Sequence, residues 1–353
     1  MYPIMQRDRS RAFRAASVLP AIAALLVGTI GMTAPVASAA SNPLKGKTVR
    51  LIIPFSPGGG FDLTARLLVP YLEKYTGATV VPENITGGGG MVGENTLFAS
   101  APNGLTLGEV GPDAAVMNAA NNTPGVTYKP QQYVWLAGAT SSSSVLLETR
   151  HAPYTTLKQL RGATSGFTVG VTGAGTANFS DGAVMFKVLG MSVQWVTGYA
   201  GSSQLVEGLA SGKPLAILVS GDTAARAMQN GLGRPLLQIN MNNHPQFKHV
   251  PTILQVVSKK SPVYKYAQAI SDIDTADRAF ALPPGVSPAI ASAWRKAFQE
   301  TFSNAQFLAQ MQKAGLTAAY TPGAVLQARV GRAMSEARIL IPVLKAANKA
   351  VGN

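Results

Sequence analysis

Val49–Asp62, VRLIIPFSPGGGFD, is the stretch on which the reading of the fold turns. Val49-Arg50-Leu51-Ile52-Ile53 is an apolar, β-branched run that predicts a buried parallel strand. It stops at Pro54-Phe55-Ser56-Pro57, and Gly58, Gly59 and Gly60 follow. From about Asp62, the spacing of Leu63, Arg66, Leu67, Leu68 and Tyr71 predicts a helix. A strand, a glycine turn and a helix start bring bare backbone N–H groups and the positive end of a helix to one point. Such a point receives an anion, most simply a carboxylate or a phosphate. The same glycines also suit a tight turn that needs positive φ, and this stretch alone does not separate the two.

Working outward, strand-like and helix-like segments alternate along nearly the whole chain, which predicts an α/β fold with mostly parallel sheets flanked by helices. Strands are expected at Thr79–Val81, Leu105–Val110, Tyr133–Ala139, Val145–Glu148, Thr168–Val171, Val193–Val196, Leu215–Val219, Leu236–Ile239 and Ala279–Leu282. Between them, helices are expected at Met91–Ala99, Asn178–Leu189, Ser202–Ala210 and Thr223–Asn230. Ser287 and Pro288 supply an N-cap and a first helical residue. Helical patterns then run through Phe302, Ala305–Ala314 and Gly323–Asn348, a closing block expected to pack on the first sheet. The serine run at 141–144 reads as a hinge crossing between two halves.

The strand–glycine–helix pattern recurs. Thr168-Val169-Gly170-Val171 leads into Thr172-Gly173-Ala174-Gly175-Thr176-Ala177-Asn178 and a helix. Gly198-Tyr199-Ala200-Gly201-Ser202 follows the Val193–Val196 strand. Each pattern alone is weak, but units in different halves can face one another across a cleft, each offering backbone donors.

Composition narrows the chemistry. The chain has no cysteine, which removes disulfides, thiolate catalysis and Cys-ligated metal. His151, His244 and His249 lack ligand spacing, so no metal site is expected from them, and no cofactor motif is evident. Arg7, Arg9, Arg11 and Arg14, the apolar run Val18–Ile30 and Ala37-Ser38-Ala39 together read as a signal peptide over residues 1–39. A product that starts near Ala40 and is exported to a bacterial periplasm is expected. Residues 1–39 hold four Arg and one Asp, so the formal charge of +14 becomes +11 without them. That excess favours anionic small molecules. Lys and Arg are scattered rather than gathered in a stripe, so nucleic acid is not an expected partner.

The ordered motifs resemble the substrate-binding proteins of tripartite tricarboxylate transporters, the TctC or Bug family. That family's strand ending in P-F-x-P-G-G-x-x-D is matched by Pro54–Asp62, with one extra glycine-like position. Its V-x-E-N-x-x-G-A-G-G is matched by Val81–Gly90, and its A-P-D-G-Y-T-L turn by Ala101–Leu107. Gly173–Asn178 corresponds to the G-x-G-[ST]-x-x-H loop, Gly198–Gly201 to P-Y-x-G, Val250-Pro251-Thr252 to V-P-T, and Pro283–Pro288 to P-x-G-x-x-P. The resemblance covers about Lys47 to Asn348. Departures are Asn178 in place of His, Ala200 where Lys is common, no Asp in Leu215–Ile217, and Gln255 where Glu is typical.

The resemblance implies a two-domain periplasmic binding protein, type II-like, with a ligand cleft at the hinge. It also implies delivery of a small mono- or dicarboxylate to an inner-membrane permease, without catalysis. On this reading residues 44–145 with 278–350 form domain I, residues 146–277 form domain II, and the protein is a monomer. The carboxylate is gripped by two loops, Ser56–Asp62 and Thr172–Asn178. The candidate ligand residues are Phe55, Ser56, Gly58, Gly59, Gly60, Phe61, Asp62, Gly173, Ala174, Gly175, Thr176, Asn178, Tyr199 and Asp222. For Asp62 the alternative is a cap or a partner for its own loop's amides, since a carboxylate repels an anionic ligand. For Thr176 and Asn178 it is helix capping, for Phe55 and Phe61 core, and for Tyr199 domain packing. Two other functions stay open: a periplasmic sensor that reports to a receptor kinase, and an anion-binding enzyme. The enzyme reading lacks G-x-G-x-x-G, G-K-[ST] and G-x-S-x-G motifs.

Overall fold

The computed structural model describes residues 42–140, 143–162, 166–241, 245–274 and 278–351. The expected signal peptide, Ser141, Ser142 and His244 lie outside the described residues. In chain order the elements are β1 (Thr48–Ile53), α1 (Gly60–Thr76), β2 (Thr79–Asn84), α2 (Met91–Phe98), β3 (Thr106–Val110), α3 (Pro112–Asn121) and β4 (Val134–Thr140). Then come β5 (Ser144–Glu148), α4 (Leu157–Arg161), β6 (Thr168–Gly170), α5 (Ala177–Leu189), β7 (Gln194–Val196), α6 (Ser202–Ala210), β8 (Ala216–Ser220), α7 (Gly221–Gln229) and β9 (Arg234–Gln238). The chain closes with α8 (Tyr264–Ile273), β10 (Arg278–Leu282), α9 (Pro288–Phe302), α10 (Ala305–Lys313), β11 (Ala318–Pro322) and α11 (Gly323–Ala350).

The strands form two sheets. One has the order β11-β4-β10-β3-β1-β2, the other β7-β6-β8-β5-β9. The chain leaves the first sheet after β4 and returns to it at β10. Both sheets are mixed rather than mostly parallel: β1 pairs parallel with β2 and β3, and β6 with β7 and β8. The pairings of β10 with β3 and β4, of β11 with β4, and of β5 with β8 and β9 are antiparallel. The reversal falls on the strands beside the two crossings. β5 follows β4 in the chain with no helix between them, and β10 comes back from the other sheet, so neither β5 nor β10 arrives by the βαβ crossover that makes a neighbour parallel.

Both faces of each sheet are covered, which explains why the strands read as continuous apolar runs. In β1, Val49, Leu51 and Ile53 face a core shared with Leu68, Leu72, Trp294, Phe298 and Phe307, whereas Ile52 faces the opposite core. In β8, Ile217 and Val219 pack with Leu205 and Leu209, and Ala216 and Leu218 pack on the far side. Ser287 caps α9 as its sequence predicts, accepting the Ile290 N–H. The closing helices do not all lie on the first sheet. α9 and α10 pack on α1, but the 28-residue α11 runs along α3, β4, α5 and α8 and ties both sheets into one core. Among the described residues no helix is long and apolar enough to cross a membrane.

Candidate functional site

The loop between β1 and α1 is held by one buried carboxylate. Asp62, in the first turn of α1 and only 4% exposed, accepts the Gly58 N–H (3.0 Å), Arg66 Nε (2.8 Å) and Asn84 Nδ2 (3.0 Å). Asn84 Nδ2 also donates to the Phe55 carbonyl at 2.8 Å. Burial pushes the Asp62 carboxyl up, but the hydrogen bonds from Gly58, Asn84 and Arg66 outweigh it and leave the group below its ordinary value. Gly58 has φ +82°, a conformation in which a Cβ is strained. Gly59, the N-cap of α1, is extended and makes no side-chain cap bond.

The loop between β6 and α5 is held without charge. Thr176 is the N-cap; its Oγ1 accepts the Phe179 N–H at 3.4 Å, lies 2.6 Å from the Gly173 carbonyl, and touches the Asn178 amide. Asn178 Oδ1 accepts from Thr172 N and Oγ1 at 3.4 and 3.3 Å. Two further helix starts lie nearby. Gly201 precedes α6, and Ser220 precedes α7, neither with a side-chain cap bond.

All four helix N-termini border one cavity of about 100 Å³ between the sheets, several times the space that a single water needs. From the first sheet's side Phe55, Ser56, Gly59, Gly60, Phe61 and Arg278 line it. The second sheet contributes Ser144, Thr172, Thr176, Ala177, Asn178, Gly201, Ser202, Val219, Ser220 and Thr223. The Phe55 and Phe61 rings lie 4.6 Å apart and form an apolar wall. Between the halves, Ser56 Oγ donates to the Ala200 carbonyl at 3.3 Å, and Asn118 Nδ2 donates to the Gly175 carbonyl at 2.6 Å. Among the described residues no cluster of His, Cys, Asp and Glu is able to hold a metal ion.

Of the sequence candidates, Phe55, Ser56, Gly59, Gly60, Phe61, Thr176 and Asn178 come together around this cavity. The others sit one step away from it. The N–H of Gly58 is committed to Asp62, and Asp62 to its own loop. Gly173, Ala174 and Gly175 line a separate recess with Gly88, Gly89, Met91 and Lys345. Tyr199 packs against Gly208 of α6, where an added Cβ would lie 2.9 Å from the Tyr199 hydroxyl. Asp222 stands behind the cavity, accepting from Thr317 N (3.0 Å) and Thr317 Oγ1 (2.7 Å).

Sequence reading missed Arg278, whose side chain is 3% exposed. Its Nη1 lies 3.7 Å from Asp222 Oδ2 and 3.3 Å from Thr140 Oγ1; its Nη2 donates to Ser220 Oγ at 3.0 Å. The guanidinium stacks 5.3 Å from the centroid of the Phe61 ring. Its signal was a cation joined without a turn to the wholly apolar run Ala279–Leu282, which carries the charge into a buried strand.

Two mixed α/β sheets facing each other across a cleft, with the chain crossing between them twice, are the architecture of periplasmic binding proteins. The periplasmic binding protein BugD shares it, with a TM-score of 0.71 at 18% identity over 85% of this chain and 98% of that one. So does MatC from Rhodopseudomonas palustris with bound malate, with a TM-score of 0.70 at 18% identity over 84% and 99%. The pattern of the tripartite tricarboxylate transporter family receptor, TctC, matches residues 64–330, and the chain belongs to that family. Protein BugT of Bordetella pertussis is 34% identical over 111 residues, 31% of this chain and 33% of that protein. The chain thus spans a third or less of the length of the first curated relatives it matches.

Proposed function

We propose that this chain is the periplasmic solute-binding component of a tripartite tricarboxylate-type transport system. It captures a small organic mono- or dicarboxylate between its two sheets and delivers it to an inner-membrane permease, catalysing nothing. The observation that carries this reading is the meeting of four helix N-termini on one cavity, three of them without a side-chain cap bond. Each start offers first-turn N–H groups and about half a unit of positive charge. Together they favour one small anion over a neutral solute of the same shape. The malate held by MatC, a protein of the same fold, agrees with that chemistry.

In this proposal residues 44–145 with 278–350 form one lobe and residues 146–277 the other. Residues 1–39 direct export to the periplasm, and the delivering species is a monomer. The ligand-facing set is the cavity lining, with Asp62 and Asp222 acting as supports behind it.

Thermal unfolding of the purified protein with a panel of aliphatic and aromatic mono- and dicarboxylates tests the reading. A carboxylate that binds raises the melting temperature in proportion to the logarithm of its concentration. Gly59→Val abolishes that rise while the protein still melts cooperatively, because the isopropyl group fills the space in front of the α1 amides. A panel that leaves the melting temperature unchanged overturns the carboxylate reading. Deleting the gene and measuring carboxylate uptake against carboxylate-induced transcription separates delivery from sensing, since delivery predicts that uptake falls when transcription is unchanged.

A further inference from the structure

Resting on the carboxylate reading above, we infer that Arg278 is a specificity-determining residue that grips the solute's anionic group directly, in competition with the charge of its neighbour Asp222. Four observations carry this. Arg278 lines the cavity rather than lying behind it. Its guanidinium lies against the start of α1, since a Cβ added at Gly60 would be 2.3 Å from Nη2. A cation and a helix N-terminus at one place repel each other, and an anion placed between them satisfies both. The third observation is the geometry of Asp222. Its two oxygens are fixed by Thr317 N and Oγ1 at 3.0 and 2.7 Å, and it meets Arg278 only at 3.7 Å. Its charge therefore stands beside the guanidinium and competes with a bound anion for it.

The fourth is position. Arg278 begins β10 on the first sheet, yet it donates to Ser220 at the start of α7 on the second. An anion held by this side chain is thus held by both halves. The Phe61 ring, stacked on the guanidinium, prevents the side chain from swinging out to solvent and fixes the plane in which it presents its donors. The nearby buried acid Asp181 accepts from Ser144 Oγ at 2.5 Å, and Asp62 serves Gly58 and Arg66.

The experiment is calorimetric titration with succinate, malate, adipate and benzoate, each against its amide. Wild type is expected to prefer the acid that it binds best over that acid's amide by at least about 100-fold. Arg278→Gln brings the preference below about tenfold, and Arg278→Lys restores part of it. Asp222→Asn keeps an acceptor for Thr317 but removes the negative charge beside the guanidinium. It is expected to tighten the acid severalfold and leave the amide unchanged. If Arg278→Gln binds the acid with wild-type preference, this inference fails while the carboxylate reading stands. If no acid binds wild type, the carboxylate reading itself fails and takes this inference with it. Should Arg278→Gln not fold, Asp222→Asn decides: weaker or unchanged acid binding overturns the role, because a merely structural ion pair predicts that result.

Discussion

The two glycine loops that face each other across the cleft look alike in sequence but are held by different physics. The first, Ser56 to Asp62, is organised around a buried carboxylate that collects one backbone amide, one guanidinium and one side-chain amide. The second, Thr172 to Asn178, contains no ionisable side chain and is organised by a threonine cap and an asparagine amide. Their glycines are needed for different reasons too. Gly58 is needed for its positive φ and Gly60 because Arg278 occupies the place of a side chain. In the second loop neither Gly173 nor Gly175 has positive φ, and a Cβ on Gly175 would press Met91 at 3.1 Å and the Gly88 carbonyl at 3.3 Å. The lesson is that a charge holds the first loop, whereas the second is held by neutral bonds and its Gly175 yields to residues across the cleft.

The largest effect is expected where the first loop meets Arg278. Gly60 has helical backbone, so alanine is tolerated by its φ and the whole cost is steric: its Cβ would lie 2.3 Å from Nη2 and 2.8 Å from Cζ. Gly60→Ala is expected to lower carboxylate affinity at least about 100-fold, and to cost about 1–3 kcal/mol of stability from overpacking. At Gly59 an added Cβ meets Ser202 Oγ at an ordinary 3.4 Å, so Gly59→Ala should change affinity by less than about threefold. Equal effects from the two alanines, measured by titration, would dissolve the distinction between a glycine that yields to a guanidinium and one that lines open space.

On the second loop the sensitive neighbour lies in the first half of the chain. Gly89 has φ +69°, and a Cβ there would lie 2.3 Å from Thr176 Cγ2. Gly89→Ala is therefore expected to hold the halves apart and weaken carboxylate binding about 30-fold, with about 1–2 kcal/mol of backbone strain. Thr176→Val removes the cap of α5, worth about 1 kcal/mol, and loosens the loop for about a tenfold loss of affinity. Combining the two substitutions should give less than the product of their separate losses, because both act on one contact. Full additivity in a double-mutant cycle breaks the claim that this loop yields to residues across the cleft.

Much of this was legible in the residues. The alternation of apolar runs with 3.6-residue patterns placed β1, α1, α6 and α9 within a residue or two, since those elements carry either a two-sided core or a plain start signal. Less visible were α3 and α8. α3 follows β3 after a single glycine and is rich in alanine and asparagine, and α8 has no side-chain cap. β11 escaped because Ala318–Pro322 has no buried residue. At the site, the loops were readable because glycine clusters are rare and ordered. Arg278 was not, because its neighbours arrive from α1, β4, the end of β8 and α7, each more than 50 residues away along the chain. Periodicity reports which face is buried, but not which distant hydroxyls and carboxylates meet there.

The smallest effect is the one that most sharply separates the loops, because it turns on charge alone. Asp62 sits below its ordinary value, so the stability it contributes is complete above the unfolded carboxylate value of about 4 and is lost as pH falls through the lower, folded value. Protonation releases the Gly58 N–H and Arg66 together, while nothing in Thr172–Asn178 titrates. Asp62→Asn keeps an acceptor but not the charge. It is expected to lower stability at pH 7 by about 1 kcal/mol, since Arg66 is half exposed and the Gly58 bond is charge-assisted. It is also expected to flatten the acid limb of the melting curve below about pH 4. Thr176→Val should instead run parallel to wild type at every pH, displaced downward. If Asp62→Asn retains the wild-type acid limb, the carboxylate is not what holds the first loop, and the two loops are organised by the same uncharged means.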